Sequence, residues 1–287
     1  MKTKLRAAAV FAFCIFNFSF TAFATTTINA ANKYAYAANA GWLDWRGDTN
    51  NGAVIGEYVC SGNIYSANVG WINLGSGTPA NQIQYQNNSA TDYGVNHDGL
   101  GNLTGYAYGA NIGWLNFEAT GAPKVDLLTG NLSGSVYSAN LGWISLSNSV
   151  ALVQTDSIQK GALAPNGLPI AWLIQFYGTT NINANADSDG DGVSNANEYL
   201  AGSVPTNAAS VLKITSITRN NGANNTALNW NAVATRYYAV QTNNALGSVA
   251  WADFSAPPTL GLNNVSLTDT VATNRFYRVR AYRPLTP

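Results

Sequence analysis

Tyr36-Ala37-Ala38-Asn39-Ala40-Gly41-Trp42-Leu43 is a phrase that the chain states four times. It returns as Tyr65-Ser66-Ala67-Asn68-Val69-Gly70-Trp71-Ile72, as Tyr108-Gly109-Ala110-Asn111-Ile112-Gly113-Trp114-Leu115 and as Tyr137-Ser138-Ala139-Asn140-Leu141-Gly142-Trp143-Ile144. The tryptophans are spaced 29, 43 and 29 residues apart, so the first copy maps onto the third and the second onto the fourth at a common offset of 72. Residues 60–74 and 132–146 share ten identities in fifteen. A two-unit module duplicated once accounts for this pattern.

Each copy reads as strand, turn, strand. Asn tolerates the left-handed region and Gly takes positive φ without steric cost, so Asn-x-Gly is a turn between two aromatic-bearing strands. Upstream, Thr129-Gly130-Asn131 joins the alternating runs 124–128 and 132–138 as a hairpin would. Four such units make an all-β repeat domain over residues 25–155, with sandwich, barrel, prism and small propeller all open as its closure. The repeated Tyr and Trp are expected to form the core of each unit, because a large aromatic buries about 150–250 Å². The alternative is an aromatic surface that stacks on sugar rings. For that role Trp45 and Tyr93, which lie outside the repeated phrase, are the surface candidates. A coplanar exposed row of repeat aromatics favours a lectin, and full burial favours a scaffold.

Composition narrows the class. The 287 residues carry only 10% charged side chains, against roughly 25% in an average soluble domain. In their place stand 37 Asn and 27 Gly. Fourteen cations balance fourteen acids, which argues against a nucleic-acid partner that would need a dense basic face. One His and two Cys leave little for a zinc site or a disulfide framework. At roughly 100–200 residues per domain the length suggests two or three domains.

Residues 1–24 read as a signal peptide. Lys2, Lys4 and Arg6 precede an apolar run from Ala7 to Phe23, and Ala22-Phe23-Ala24 offers a small-x-small cleavage site. The expected location is secreted or at the cell surface, with no membrane span once the signal is removed. Cys14 leaves with the signal, so Cys60 is left without an intrachain partner and reads as a small buried hydrophobe. Charge is segregated along the remainder: net −4 over residues 25–160, −4 over 161–210 and +5 over 211–287.

The middle segment, residues 156–210, is a helical linker that carries a metal-binding pattern. Asp187-Ser188-Asp189-Gly190-Asp191-Gly192-Val193-Ser194-Asn195-Ala196-Asn197-Glu198 fits the twelve-position calcium loop D-x-D-x-D-G-x₅-E at every defined position. Asp187, Asp189 and Asp191 converge when the chain coils tightly, and Gly192 permits the sharp turn. The Val193 carbonyl supplies the seventh position, Asn195 the ninth directly or through water, and Glu198 closes the shell from the following helix, residues 196–201. Such a hard-oxygen set selects Ca²⁺. The entering helix of an EF-hand is displaced, since the short helix 169–177 stops at Gly178 and residues 179–186 lack helical periodicity. The segment instead resembles the calcium loops of dockerins and thrombospondin type 3 repeats, over about 16 residues. A dockerin needs two such segments, so the ion reads as a structural staple.

From residue 211 the pattern changes to alternating strands at 211–218, 226–231, 236–242, 251–254, 264–269 and 275–282. In the last, Tyr277, Val279 and Ala281 share one face while Phe276, Arg278 and Arg280 share the other. The placement of Trp230, Tyr238 and Tyr277-x-Val279-x-Ala281 resembles a fibronectin type III or immunoglobulin-like β-sandwich. Together with Glu198-Tyr199-Leu200-Ala201-Gly202, Pro205-Thr206 and the run 211–217, these residues resemble the C-terminal module of secreted Verrucomicrobia-type modular proteins. That resemblance covers residues 168–287 and implies export and calcium more than any activity. The N-terminal repeat resembles those of uncharacterised bacterial surface proteins.

Catalysis has little to work with. The patterns G-x-S-x-G, H-E-x-x-H and the P-loop are absent from the sequence. His97 sits in a turn-like His97-Asp98-Gly99, and outside the calcium loop only Glu57, Glu118 and eight Asp are available as acids. The expectation is a secreted, non-catalytic, mainly β calcium-binding protein for surface interaction or adhesion, with an extracellular polysaccharide or cell-envelope component as partner. The alternatives are a carbohydrate-binding protein that uses the repeat aromatics and a divergent polysaccharide-active enzyme.

Overall fold

The computed structural model describes residues 26–245, 250–254, 259–260, 265–270 and 275–286. The expected signal peptide, residues 1–24, lies outside them. The described chain is mainly β, with two short helices.

Residues 26–155 build β1 (Ile28–Ala37), β2 (Gly41–Asp44), β3 (Ser61–Ser66), β4 (Gly70–Ser76), β5 (Val95–His97), β6 (Leu103–Gly109), β7 (Gly113–Phe117), β8 (Lys124–Val125), β9 (Leu132–Ser133), β10 (Ser135–Ser138), β11 (Gly142–Ser145) and β12 (Leu152–Thr155). Four antiparallel hairpins, β1–β2, β3–β4, β6–β7 and β10–β11, each turn at an Asn-x-Gly. They join side by side, and the ring closes where Tyr36 and Ala37 of β1 pair with Ser145 and Ile144 of β11. The result is an eight-stranded barrel, the width at which side chains just fill the interior. Strands β12 and β5 extend the free lower halves of the two long strands, β1 and β6.

The period-2 alternation of each strand decides what enters the barrel. Ala35 opposes Leu43, and Ala107 opposes Leu115. Ile64 opposes Ile72, and Val136 opposes Ile144. All eight side chains are buried. A small residue thus faces a large one in the first and third hairpins, and two medium ones meet in the second and fourth. Ala40, Val69, Ile112 and Leu141, the middle residues of the four turns, fold over the open end as an apolar plug. Trp45, Leu74, Phe117 and Leu146 occupy equivalent inward positions three residues after each repeat tryptophan, and all four are buried.

Two expectations are corrected here. The repeat aromatics are not the core: Trp42, Trp71, Trp114 and Trp143 are 44–48% exposed and their Tyr partners 37–39%. The aliphatic residue after each Trp takes the inward position, and an eight-stranded interior has no room for eight large rings besides. The turn asparagines do not use the left-handed region either; positive φ falls on Gly41, Gly70, Gly113 and Gly142, at 73–81°. Each Asn side chain instead donates to a main-chain carbonyl of the adjacent turn: Asn39 to Leu141 at 3.1 Å, Asn68 to Ala40 at 3.0 Å, Asn111 to Val69 at 3.1 Å and Asn140 to Ile112 at 3.0 Å. Four equivalent bonds run in a closed circle around the rim.

Beyond the barrel come α1 (Ile170–Tyr177) and α2 (Asn195–Ala201), ended by Gly178 and Gly202 in the left-handed conformation. Trp172, Leu173 and Tyr199 pack between them with Ala164 and Leu168. The last segment forms β13 (Ile214–Asn220), β14 (Asn225–Trp230), β15 (Tyr237–Asn243), β16 (Ala252–Asp253), β17 (Thr259–Leu260), β18 (Val265–Asp269) and β19 (Phe276–Tyr282). These make one sheet of order β13-β14-β18 and a second in which β15 pairs with β16, β17 and β19. The two-residue β17 has no counterpart among the six strands read from the sequence. Trp230, Tyr238 and Val240 are buried in this segment, with Tyr277, Val279 and Ala281 partly buried against them. Tyr237, on the opposite face of β15, joins the barrel's own core, and Tyr282 and Leu285 pack beside it.

Candidate functional site

Three constellations carry chemistry: an aromatic belt on the barrel, the acidic loop before α2, and a charged node where the segments meet.

The belt lies at the turn end of the barrel. Each Trp pairs across its hairpin with the Tyr of the same phrase, Tyr36↔Trp42, Tyr65↔Trp71, Tyr108↔Trp114 and Tyr137↔Trp143. The ring centroids lie 4.8–5.2 Å apart and the planes 54–68° from one another. The rings therefore form four separate tilted platforms around the circumference rather than one coplanar row. Tyr34 and Tyr106 add a third ring to the first and third platforms, 5.9 and 6.0 Å from Trp42 and Trp114. Asn63 and Ser135 stand at those positions in the second and fourth.

Of the two surface candidates chosen from sequence, Tyr93 joins the belt and Trp45 does not. Tyr93 is half-buried, stands edge-on 5.0 Å from Trp114, and donates its hydroxyl to Asn73 Oδ1 at 3.2 Å. Trp45 is 2% exposed and lies against Phe117 inside the barrel. The sequence held the signal: Trp45 is two residues beyond inward Leu43 and aligns with Leu74, Phe117 and Leu146.

In the acidic loop, oxygens of Asp187, Asp189 and Asp191 lie within 4.8 Å of one another. The loop is shaped by its own carboxylates. Asp187 accepts from the Gly190 and Gly192 amides at 2.7 and 2.8 Å, and Asp191 from the Val193 amide at 2.7 Å. Gly192 holds φ at 92°, as the sharp turn requires. Glu198 is fully buried on α2, and its Oε1 accepts from the Ser203 hydroxyl at 3.2 Å. Its Oε2 is buried without a partner, as are the Oδ2 atoms of Asp189 and Asp191. Burial, and then the charge of Asp189, push the Glu198 carboxyl up to about 7. Buried carboxylate oxygens with no donor are costly, and the three gathered aspartates could hold a metal ion. Asn195 is also buried, but its amide is committed: Oδ1 accepts from the Tyr177 hydroxyl at 2.9 Å and Nδ2 donates to the Asn183 carbonyl at 2.9 Å.

One residue along α2 the helix reaches the barrel. The Tyr199 hydroxyl donates to Glu57 Oε2 at 2.6 Å. The same carboxylate meets Arg283 Nε at 3.2 Å and, through Oε1, Arg236 at 3.1 Å. Both guanidinium groups lie over the Tyr199 ring, and Arg236 also donates to the Tyr199 and Leu200 carbonyls. Arg236 and Arg283 are only 5% and 4% exposed, so these two cations of the last segment are buried at the node. The sequence did not single out this node, because its members are far apart in the chain and fit no motif.

His97 and Cys60 take structural positions. His97 is 1% exposed; Nδ1 faces the Gly56 carbonyl at 2.8 Å and Nε2 accepts from the Gly101 amide at 3.1 Å. This arrangement fits the neutral imidazole, and burial holds its pKa below the usual value. Cys60 lies in the barrel core, where burial pushes the thiol up to about 12. Compared with protein-family models, with curated proteins and with solved structures, the chain matches none.

Proposed function

We propose that this chain is an exported, non-catalytic protein that binds extracellular or cell-envelope polysaccharide through the aromatic belt of its barrel. The observation that carries the reading is the exposure of all four Tyr–Trp pairs. Exposed rings cost hydration free energy, and a sequence that keeps the same pair outward four times has a use for it. A pyranose ring offers an apolar C–H face to an aromatic plane and hydroxyls to nearby amides. Polar outward residues flank the platforms: Asn73 in register with Tyr108, Asn116 with Tyr137, Ser145 with Tyr36 and Asp44 with Tyr65. Four weak platforms on one rigid barrel suit a polymer, since linked contacts multiply affinity without any one being tight.

In this reading residues 187–198 hold one Ca²⁺ through Asp187, Asp189, Asp191, the Val193 carbonyl and Glu198. The ion halves the loop's charge of −4 and fixes α2. The last segment, read as an immunoglobulin-like module, serves as a docked tail, and the signal peptide and the modular resemblance support export.

The test is adsorption to insoluble polysaccharides of plant, algal and bacterial origin, comparing the full chain with a variant in which Trp42, Trp71, Trp114 and Trp143 are all Ala. Retention by the wild type and its loss in the variant are expected. A wild type retained on no polysaccharide overturns the reading. Calorimetry on chelator-stripped protein is expected to show one Ca²⁺ bound and none in Asp189→Asn/Glu198→Gln.

A further inference from the structure

We propose that the cleft walled by residues 87–89 against Tyr93, Tyr106 and Trp114 is a dedicated site for an uncharged pyranosyl residue, the one place on the belt that grips a soluble oligosaccharide. The proposal rests on the polysaccharide reading above and narrows it to one quarter of the belt.

The cleft exists because the duplication is uneven. The second and third tryptophans are 43 residues apart where the other spacings are 29. The added chain lies between β4 and β6 and folds back along the outer wall. Its anchor is Tyr85, 3% exposed, whose hydroxyl accepts from the Gly77 amide and donates to the Cys60 carbonyl. The ring lies flat against Gly75 and Gly94, where an added Cβ would meet it at 2.6 and 2.2 Å. Buried Asp92 ties the loop together by accepting from the Ala80 and Gln86 amides, both at 3.1 Å. Asn87, at φ 55°, accepts from the Gly94 amide at 3.0 Å. The wall is held in place before any ligand arrives, and such preorganisation lowers the entropy lost on binding.

Between this wall and the barrel lies a cleft of about 440 Å³, within the range of about 300–1,000 Å³ usual for small-ligand pockets. Its lining is Asn87, Asn88, Ser89, Tyr93, Tyr106 and Trp114. Trp114 is 44% exposed and stands between Tyr106 and Tyr93. Three rings supply the apolar face, and the exposed amide of Asn88 is placed for sugar hydroxyls, while the Ser89 hydroxyl accepts from the Asp92 amide at 3.1 Å and helps to hold the wall.

No lining side chain is charged. A uronate or sulfate entering the cleft would lose water without gaining a cation, which is unfavourable. A neutral pyranose has no such loss. The second and fourth platforms lack the third ring, having Asn63 and Ser135 where the third has Tyr106.

The experiment is titration of the full chain, by calorimetry and tryptophan fluorescence, with cello-, xylo-, manno- and laminari-hexaose and with hexagalacturonate. At least one neutral hexaose is expected to bind and hexagalacturonate not to bind. Trp114→Ala and Tyr106→Ser, the latter installing the residue of the fourth platform, are each expected to weaken that hexaose at least tenfold. Val150→Ala, an exposed side chain outside the belt, is expected to change it less than twofold. Unchanged binding in Trp114→Ala and Tyr106→Ser overturns the proposal, as does tighter binding of hexagalacturonate. If no neutral hexaose binds while the wild type still adsorbs to insoluble polysaccharide, the cleft is refuted and the belt stands. If the wild type does neither, both fail.

Discussion

The rim of the barrel and the node at Glu57 are both built of polar contacts, yet they are organised in opposite ways. At the rim one bond is repeated four times in a circle, each Asn serving a main-chain carbonyl of the adjacent turn, and no single bond is indispensable. At the node one carboxylate serves Tyr199, Arg236 and Arg283 together, and through them α2 and the last segment. Repetition spreads stability over equivalent places. A hub concentrates it, and concentrates with it the consequence of a single change.

The largest effect is therefore expected at the hub. Glu57→Ala leaves two buried guanidinium groups and a buried hydroxyl without their acceptor. Removing one partner of a buried ion pair costs about 3–5 kcal/mol. We expect a loss of that size in urea unfolding, and trypsin cleavage at exposed Lys213 under conditions in which the wild type is intact. A variant as resistant as the wild type would show that the apolar contacts of Tyr237 and Leu285 hold the junction without the ion cluster.

The comparison sharpens within the barrel, where one residue type stands on both sides of the wall. Trp45→Ala empties a core position and is expected to cost about 3–5 kcal/mol. Trp42→Ala, three residues earlier and 47% exposed, is expected to stay within about 0.5 kcal/mol of wild type while weakening adsorption to polysaccharide. Equal losses of stability from both would contradict the inward and outward assignment along β2 and the residue that follows it.

These two residues also mark what the sequence made legible. Local signals are faithful: Asn-x-Gly marks four real turns, the spacing of Asp187, Asp189 and Asp191 gathers three carboxylates, and Gly178 ends the first helix. The facing of the strands was also present in the sequence, since Leu43, Ile72, Leu115 and Ile144 must point away from the Trp beside them. What was not legible depends on closure. Pairing of Tyr36 with Ser145 brings the two ends of the repeat together, and only a closed ring of eight strands fixes how little space the interior has. That limit, and not the hydrophobicity of tryptophan, places the belt outside. The node was hidden for a similar reason, as Glu57 lies 142 residues from Tyr199 and 226 from Arg283.

At the rim the expected effect is smaller. Asn111→Ala removes one of four equivalent bonds, a net contribution of about 0.5–1.5 kcal/mol, and leaves the Val69 carbonyl at the rim. Substituting a second Asn is expected to cost a similar increment. A collapse after the first substitution, measured by thermal unfolding, would show that the circle acts as one cooperative unit and not as four separate bonds.

The smallest effect is a dependence on pH, and it belongs to the barrel wall beside the hub. His97 donates from Nδ1 to the Gly56 carbonyl and accepts at Nε2 from the Gly101 amide. Protonation would set an N–H against that amide in a buried site. Its pKa in the folded chain is lowered, chiefly by burial, whereas in the unfolded chain it returns to about 6.5. Below that value the unfolded state binds the extra proton more readily, so stability falls with falling pH; the contribution is complete above about 6.5 and is lost as the pH drops through the folded value. His97→Gln removes this titration, so the melting temperature of the wild type is expected to fall relative to that of the variant between pH 7 and pH 5, at some cost in packing at pH 7. A wild-type melting temperature that rises over the same interval, with a rise absent from His97→Gln, would mean that the folded imidazole prefers the proton, and the hydrogen-bond assignment at Gly101 would have to be reversed.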